Sequence, residues 1–361
     1  MPRVADLEIS IGLLPPGPTG SVLDVPGVGL GHATVWRDDP APPDGDGVAR
    51  TGVSVLDLGG NAFRQPVPAG AAVLNGNGEC TGLLTARECG LVETPLFLTS
   101  TMQVGRVYDA AVQLLVEEEP GIGVEDVVIP VVAECDDSFL SDPRRVRVST
   151  ADVRAALAAA RASAGGSAVA EGAVGAGTGM TALGYKGGVG SASRVVPGGA
   201  VVAAVVLSNF GVRDRLTVGG VHIGRHLRDA APAPARASAP GGSCIVFVVT
   251  DAPIDAAGCT RLARRAGLGL ARVGSTAHHG SGEIFLACAT GLRASRGEPP
   301  ATTPIAGRGL DPYFAAVVEA TEEAVLNSLL TARTVTGRDG NTSYALPVDA
   351  VRVLLMEGRH G

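Results

Sequence analysis

Aromatic side chains are nearly absent from this chain, making up 3% of its 361 residues with a single tryptophan. An interior built without rings is filled by many small side chains, and Ala, Val and Gly dominate the composition. Charge is scarce as well: 18% of residues are charged against 45% apolar, a balance that excludes a disordered chain. A net charge of -7 with no dense Lys/Arg cluster excludes a general nucleic-acid binder. No apolar run approaches the ~18 residues that a spanning helix requires, the longest being 199–207. The first residues carry no apolar segment of the secretory type, so a cytoplasmic protein without a membrane partner is expected. Six cysteines (Cys80, Cys89, Cys135, Cys244, Cys259 and Cys288) are scattered without a C-x-x-C pair. That spacing points to buried reduced thiols rather than disulfides or a metal site.

What is present reads as alternating short strands and longer helices. Residues 53–58, 71–74, 127–132, 201–207 and 244–249 have strand character, several of them apolar on both faces. Helical character is expected over 107–119, 151–163, 255–266 and 312–330, the last with Asp311 as N-cap and Pro312 at the first helical position. Strands buried on both faces need layers above and below, which predicts a layered α/β domain with helices outside the sheets. No fixed-period repeat interrupts this pattern. Two glycine-heavy stretches, 75–79 and 175–180, match neither a phosphate-binding P-loop nor the full dinucleotide fingerprint. They are read as tight turns approaching a ligand or another segment closely.

The junction at 240–251 stands out. A Pro/Ala/Gly segment, 231–242, runs into Ser243, which opens a dense apolar strand. Two readings fit: a proline-rich surface loop entering the core, or a nucleophile that cuts the bond before it and then works as a new N-terminal residue. In the second, the freed α-amine, with an ordinary pKa of about 7.7–8.0, serves as a built-in base. Further on, Ser281 and Glu283 lie two apart on an expected strand and so share a face. They are either structural or a pair in which the carboxylate orients the hydroxyl. His278 and His279 offer a rival Ser-His arrangement, but no G-x-S-x-G elbow accompanies them. Asn209 and Glu134 each end an apolar strand. The first is a turn residue or an oxyanion donor, and the second a solvated carboxylate or a grip for a cationic substrate group.

Together these segments resemble the self-cleaving N-terminal serine aminopeptidases of the L-aminopeptidase/D-alanine esterase-amidase and β-aminopeptidase type. The resemblance is carried in order by 12–18, 24–32, 74–79, 92–95, 132–135, 177–180, 186–188, 208–211, Gly242-Ser243, 250–253 and 281–283. It implies a four-layer α/β/β/α sandwich, layered as in N-terminal-nucleophile hydrolases, in one catalytic domain cleaved into 1–242 and 243–361. Ser243 would be the nucleophile, Gly242-Ser243 the cleavage site, Ser281 and Glu283 its supporting pair, Asn209 the oxyanion donor and Glu134 the holder of the substrate amine. It further implies small peptide, amide or ester substrates, no cofactor or metal, and a homo-oligomer of four or more copies. One departure is visible: several relatives carry an aromatic hydroxyl shortly after the residue matching Glu134, whereas here no tyrosine occurs between Asp109 and Gly184. Alternative readings are a self-processing acyltransferase resembling the ornithine acetyltransferases, whose nucleophile is threonine, and a non-catalytic binding or assembly homologue.

Overall fold

The computed structural model describes residues 2–7, 9–228, 230, 232 and 241–357, so most of the expected linker (231 and 233–240) lies outside the described residues. Two sheets form its centre. A four-stranded sheet runs in the order Gly29–Asp38, Val48–Asp57, Leu96–Ser100, Val131–Cys135. A six-stranded sheet runs Leu91–Val92, Val67–Gly76, Gly280–Ala289, Gly241–Thr250, Val201–Asn209, Gly188–Val195.

Strand alternation explains how one sequence builds three cores. In Gly241–Thr250, Ile245, Phe247 and Val249 point into the space between the sheets, where they meet Leu56, Leu98 and Ala133. Cys244, Val246 and Val248 point the other way, toward Leu262 and Ala266 of helix Ala256–Arg272 and Ala320 and Ala324 of helix Asp311–Leu330. Helices Val104–Glu118 and Thr150–Ser163 cover the outer face of the four-stranded sheet through Val107, Ala111, Val153 and Leu157. The result is the expected α/β/β/α sandwich. Small residues let its layers approach closely: a Cβ on Gly190 would sit 2.1 Å from the Ala324 carbonyl oxygen, so a larger residue would push helix Asp311–Leu330 off the sheet.

Local chemistry sets the element ends. The Asp255 carboxylate accepts the Gly258 N–H at 2.7 Å and caps helix Ala256–Arg272, while Ser149 and Asp152 form a capping box for Thr150–Ser163. Three expectations need correction. Asp311 is the first residue of its helix and not its cap; Leu310 stands at the N-cap, entered directly from the 3-10 turn Gly307–Leu310. The strand expected at 127–132 occupies Val131–Cys135: Pro130 donates no N–H to a ladder, and Val127 and Ile129 before it are exposed. All six cysteines are free, but Cys89 is exposed at a helix end while the other five are buried. Among the described residues no helix is long and apolar enough to cross a membrane.

Candidate active site

Ser243 lies three residues into the central strand of the six-stranded sheet, opposite Asn209 on one neighbour and Gly282 on the other. It shares the parity of Ile245, so its side chain emerges on the inter-sheet side, at the strand end where the core gives way to a cleft of about 1020 Å³. Gly242 also lines that cleft, with φ at +125°, and a Cβ there would fall 1.9 Å from the Asn209 carbonyl oxygen. Only glycine fits at the position before Ser243.

Asn209 ends strand Val201–Asn209, and both ends of its side-chain amide are held. Its Oδ1 accepts the Thr181 N–H at 2.9 Å and its Nδ2 donates to the Asp136 carbonyl at 2.8 Å. One Nδ2 proton is thereby used, leaving the other for a partner in the cleft that the residue lines. Glu134, 2% exposed, sits near the end of strand Val131–Cys135. Its Oε1 accepts the Glu79 N–H at 2.8 Å and its Oε2 the Thr101 hydroxyl. Burial pushes the Glu134 pKa above the ordinary carboxylate value, and these two hydrogen bonds oppose the shift. The glycine-rich stretch 75–79 makes room here: a Cβ on Gly78 would lie 3.1 Å from Glu134 Oε1. The cleft thus has an amide donor and a hydroxyl at one place and a carboxylate at another. Met102 and Phe139 add apolar wall, and Phe139 occupies the stretch in which a tyrosine is missing.

Ser281 and Glu283 do share a face, and the Ser281 hydroxyl donates to Glu283 Oε1. The parallel register, however, pairs Ser281 with Gly242 and Glu283 with Cys244. They therefore project on the helix side of the sheet, opposite the Ser243 side chain, and neither lines the cleft. Glu283 is fully buried, its Oε2 accepts no hydrogen bond among the described residues, and burial raises its pKa. In the ladder the pair flanks Gly282, the residue opposite Ser243. His278 is drawn into the architecture by its backbone: its carbonyl accepts the Ser281 N–H at 2.8 Å and the Asn75 Nδ2 at 2.8 Å, while its Nε2 faces the Thr276 hydroxyl at 3.2 Å. Thr101 and Thr181, which hold the two key side chains, carry no signal in sequence beyond their place next to strands.

A family profile described as Peptidase family S58 matches residues 20–343. The chain belongs to peptidase family S58. The family makes this S58 member a hydrolase of the aminopeptidase/amidase class, as its resemblance implied. It is 37% identical to the beta-peptidyl aminopeptidase BapA of Sphingosinicella xenopeptidilytica, over 96% of this chain and 89% of that one. Among solved structures, the beta-aminopeptidase of a Burkholderia species superposes with a TM-score of 0.87 at 41% identity, covering 98% of this chain and 99% of that one. The L-aminopeptidase D-Ala esterase/amidase of Ochrobactrum anthropi, a serine aminopeptidase with a variant of the Ntn hydrolase fold, gives a TM-score of 0.90 at 34% identity over 99% of both chains. This S58 chain thus shares its four-layer sandwich with a structure that fixes the Ntn hydrolase type.

Proposed function

We infer that this S58 hydrolase matures by cutting its own Gly242-Ser243 bond and then uses Ser243 as an N-terminal nucleophile. The observation that carries the reading is the ladder that sets Ser243 against Asn209 at the rim of the cleft also lined by Glu134. In maturation, Ser243 Oγ bonds to the Gly242 carbonyl carbon, the C–N bond breaks, and the hydroxyl proton ends on the Ser243 nitrogen. Water then hydrolyses the ester, leaving a Gly242 carboxylate and a free Ser243 amine, in pieces 1–242 and 243–361. In turnover that amine takes the Oγ proton as Oγ attacks the substrate carbonyl, Asn209 Nδ2–H receives the oxyanion, and the proton passes to the departing amine or alcohol. A water completes the cycle by releasing the acyl group.

Ser281 and Glu283 fit this scheme from behind the strand. The register that sets Ser281 beside Gly242 and Glu283 beside Cys244 supports a role at the new amine, and the unpartnered Glu283 oxygen suits a group formed only on cleavage. Ser281→Ala and Glu283→Gln are expected to keep the wild-type melting temperature while kcat falls about 10²-fold or more, the usual scale for losing help with proton transfer. Unchanged kcat in both variants, measured on fully cleaved protein, would reduce the pair to a structural role.

The substrates we infer are short peptides, amino-acid amides or esters with a free amine, held as an ammonium by Glu134; relatives named as beta-aminopeptidases support acceptance of β-aminoacyl groups. A charge-assisted hydrogen bond is worth about 1.5–3 kcal/mol, so N-acetylating the substrate or introducing Glu134→Gln is expected to lower kcat/KM about ten- to a hundredfold. Self-cleavage should persist in Glu134→Gln, because Gly242 presents no amine. Below the range in which the Ser243 amine titrates, Glu134 should add a second loss of kcat/KM that begins above the ordinary Glu value of about 4.3, because burial raises its pKa, and that Glu134→Gln lacks. Equal kinetics on acetylated and free substrates would instead indicate a general amidase. Six unpaired cysteines support a reducing, cytoplasmic setting, and we extend the reading to a homo-oligomer, checked by light scattering.

A further inference from the structure

Lys186 is the chain's single lysine, and it is completely buried. It belongs to the two-residue strand Tyr185–Lys186, paired with Thr181–Ala182 so that Lys186 lies opposite Thr181. Its Nζ is surrounded by three carbonyl oxygens: Gly177 at 2.9 Å, Met180 at 2.7 Å and Gly187 at 2.7 Å. An ammonium has three protons for these three acceptors, whereas a neutral amine has two and would turn its lone pair onto a carbonyl oxygen. Burial pushes the Lys186 pKa well below the ordinary lysine value, and Asp137 opposes that shift. Three acceptors within hydrogen-bond distance match the charged form, against the pull of burial.

One of the three acceptors leads to the active site. The carbonyl of Met180 and the N–H of Thr181 belong to the same peptide group. That carbonyl accepts both Lys186 Nζ and the Gly187 N–H at 3.0 Å, and the N–H at its other end donates to Asn209 Oδ1 at 2.9 Å. A cation on the oxygen of a peptide group makes its N–H a stronger donor, and the same polarisation passes through the Asn209 amide to its Nδ2 protons. Because a peptide group is planar and rigid, the ammonium also fixes the direction in which Thr181 N–H points.

We propose that Lys186 is a positioning residue for acyl transfer: through the Met180–Thr181 peptide group its ammonium orients and polarises the Asn209 amide that receives the oxyanion. The inference rests on Asn209 acting as the oxyanion donor. Lys186→Met removes the charge and keeps the length of the side chain. Measured on protein whose cleaved fraction has been quantified, it is expected to lower kcat about ten- to a hundredfold with KM near wild type. In the Asn209→Ala background the same substitution should cost little, since the relay then ends on nothing. A small effect of Asn209→Ala alone would remove the underlying reading. A large effect of Asn209→Ala, joined to a full and additive effect of Lys186→Met or to one on KM alone, would overturn the relay while leaving that reading intact.

If Lys186→Met fails to fold, wild-type protein labelled with ¹⁵N-lysine answers the question, because one lysine gives one Nζ signal. An ammonium signal at neutral pH that moves when an aminoalkyl boronate forms its tetrahedral adduct on Ser243, but stays fixed in Asn209→Ala, is the expected result. A neutral amine, or a signal indifferent to the adduct in wild type, would overturn the proposal.

Discussion

Ser243→Ala is expected to reduce kcat/KM by about 10⁴- to 10⁶-fold, the scale of loss on removing a serine nucleophile, without unfolding the protein. The side chain that remains is smaller than the one removed, and the strand that holds it is anchored by ladders on both sides. Both steps of the proposed mechanism would pass through the same oxygen, so the loss should appear in turnover and in maturation together. Measuring turnover against ester and amide substrates separates contaminating hydrolases from a true residual activity. A Ser243→Ala preparation retaining more than a few per cent of wild-type kcat would require a different nucleophile.

Asn209→Ala is the second large effect. Removing one preorganised oxyanion donor costs about 2.7–4 kcal/mol of barrier in other hydrolases, so kcat should fall about 10²- to 10³-fold. Here the donor is held at both ends of its amide, by Thr181 N–H and by the Asp136 carbonyl, which means that little reorganisation is needed when the oxyanion forms. The effect should lie in kcat and not in KM, since a ground-state carbonyl gains less from the contact than an oxyanion does. Maturation should slow as well, because in the proposed cleavage Gly242 would pass through a tetrahedral centre at the same place. A change confined to KM would move Asn209 from oxyanion stabilisation to substrate binding.

Much of this architecture is legible in the sequence. Two-sided apolar strands such as 244–249 required layers above and below, and alternation correctly joined Ser281 to Glu283 on one face. What alternation within one strand does not report is pairing between strands. Whether Ser281 faces the Ser243 hydroxyl or the bond before it depends on the parallel register of Gly241–Thr250 with Gly280–Ala289, a long-range fact set by the whole sheet. The holders of the site were hidden for a related reason. Thr101, Thr181 and Lys186 make hydrogen bonds to partners fixed by tertiary packing, and a lone lysine in a sequence does not announce three carbonyls around it. Apolar character runs on across Pro130 in 127–132 but the ladder cannot, so the strand begins at Val131.

Self-cleavage at a nucleophilic Ser243 is the claim on which the rest depends, and denaturing mass spectrometry of purified protein tests it most directly. Gly242, in a backbone conformation that favours glycine and beside the Asn209 carbonyl, marks where the cut should fall. Wild-type protein is expected to give two masses, corresponding to 1–242 and 243–361, arising from one particle under native conditions, and Ser243→Ala a single full-length mass. A full-length wild-type chain that is nevertheless active, or Ser243→Ala cleaved at the same bond, would contradict it.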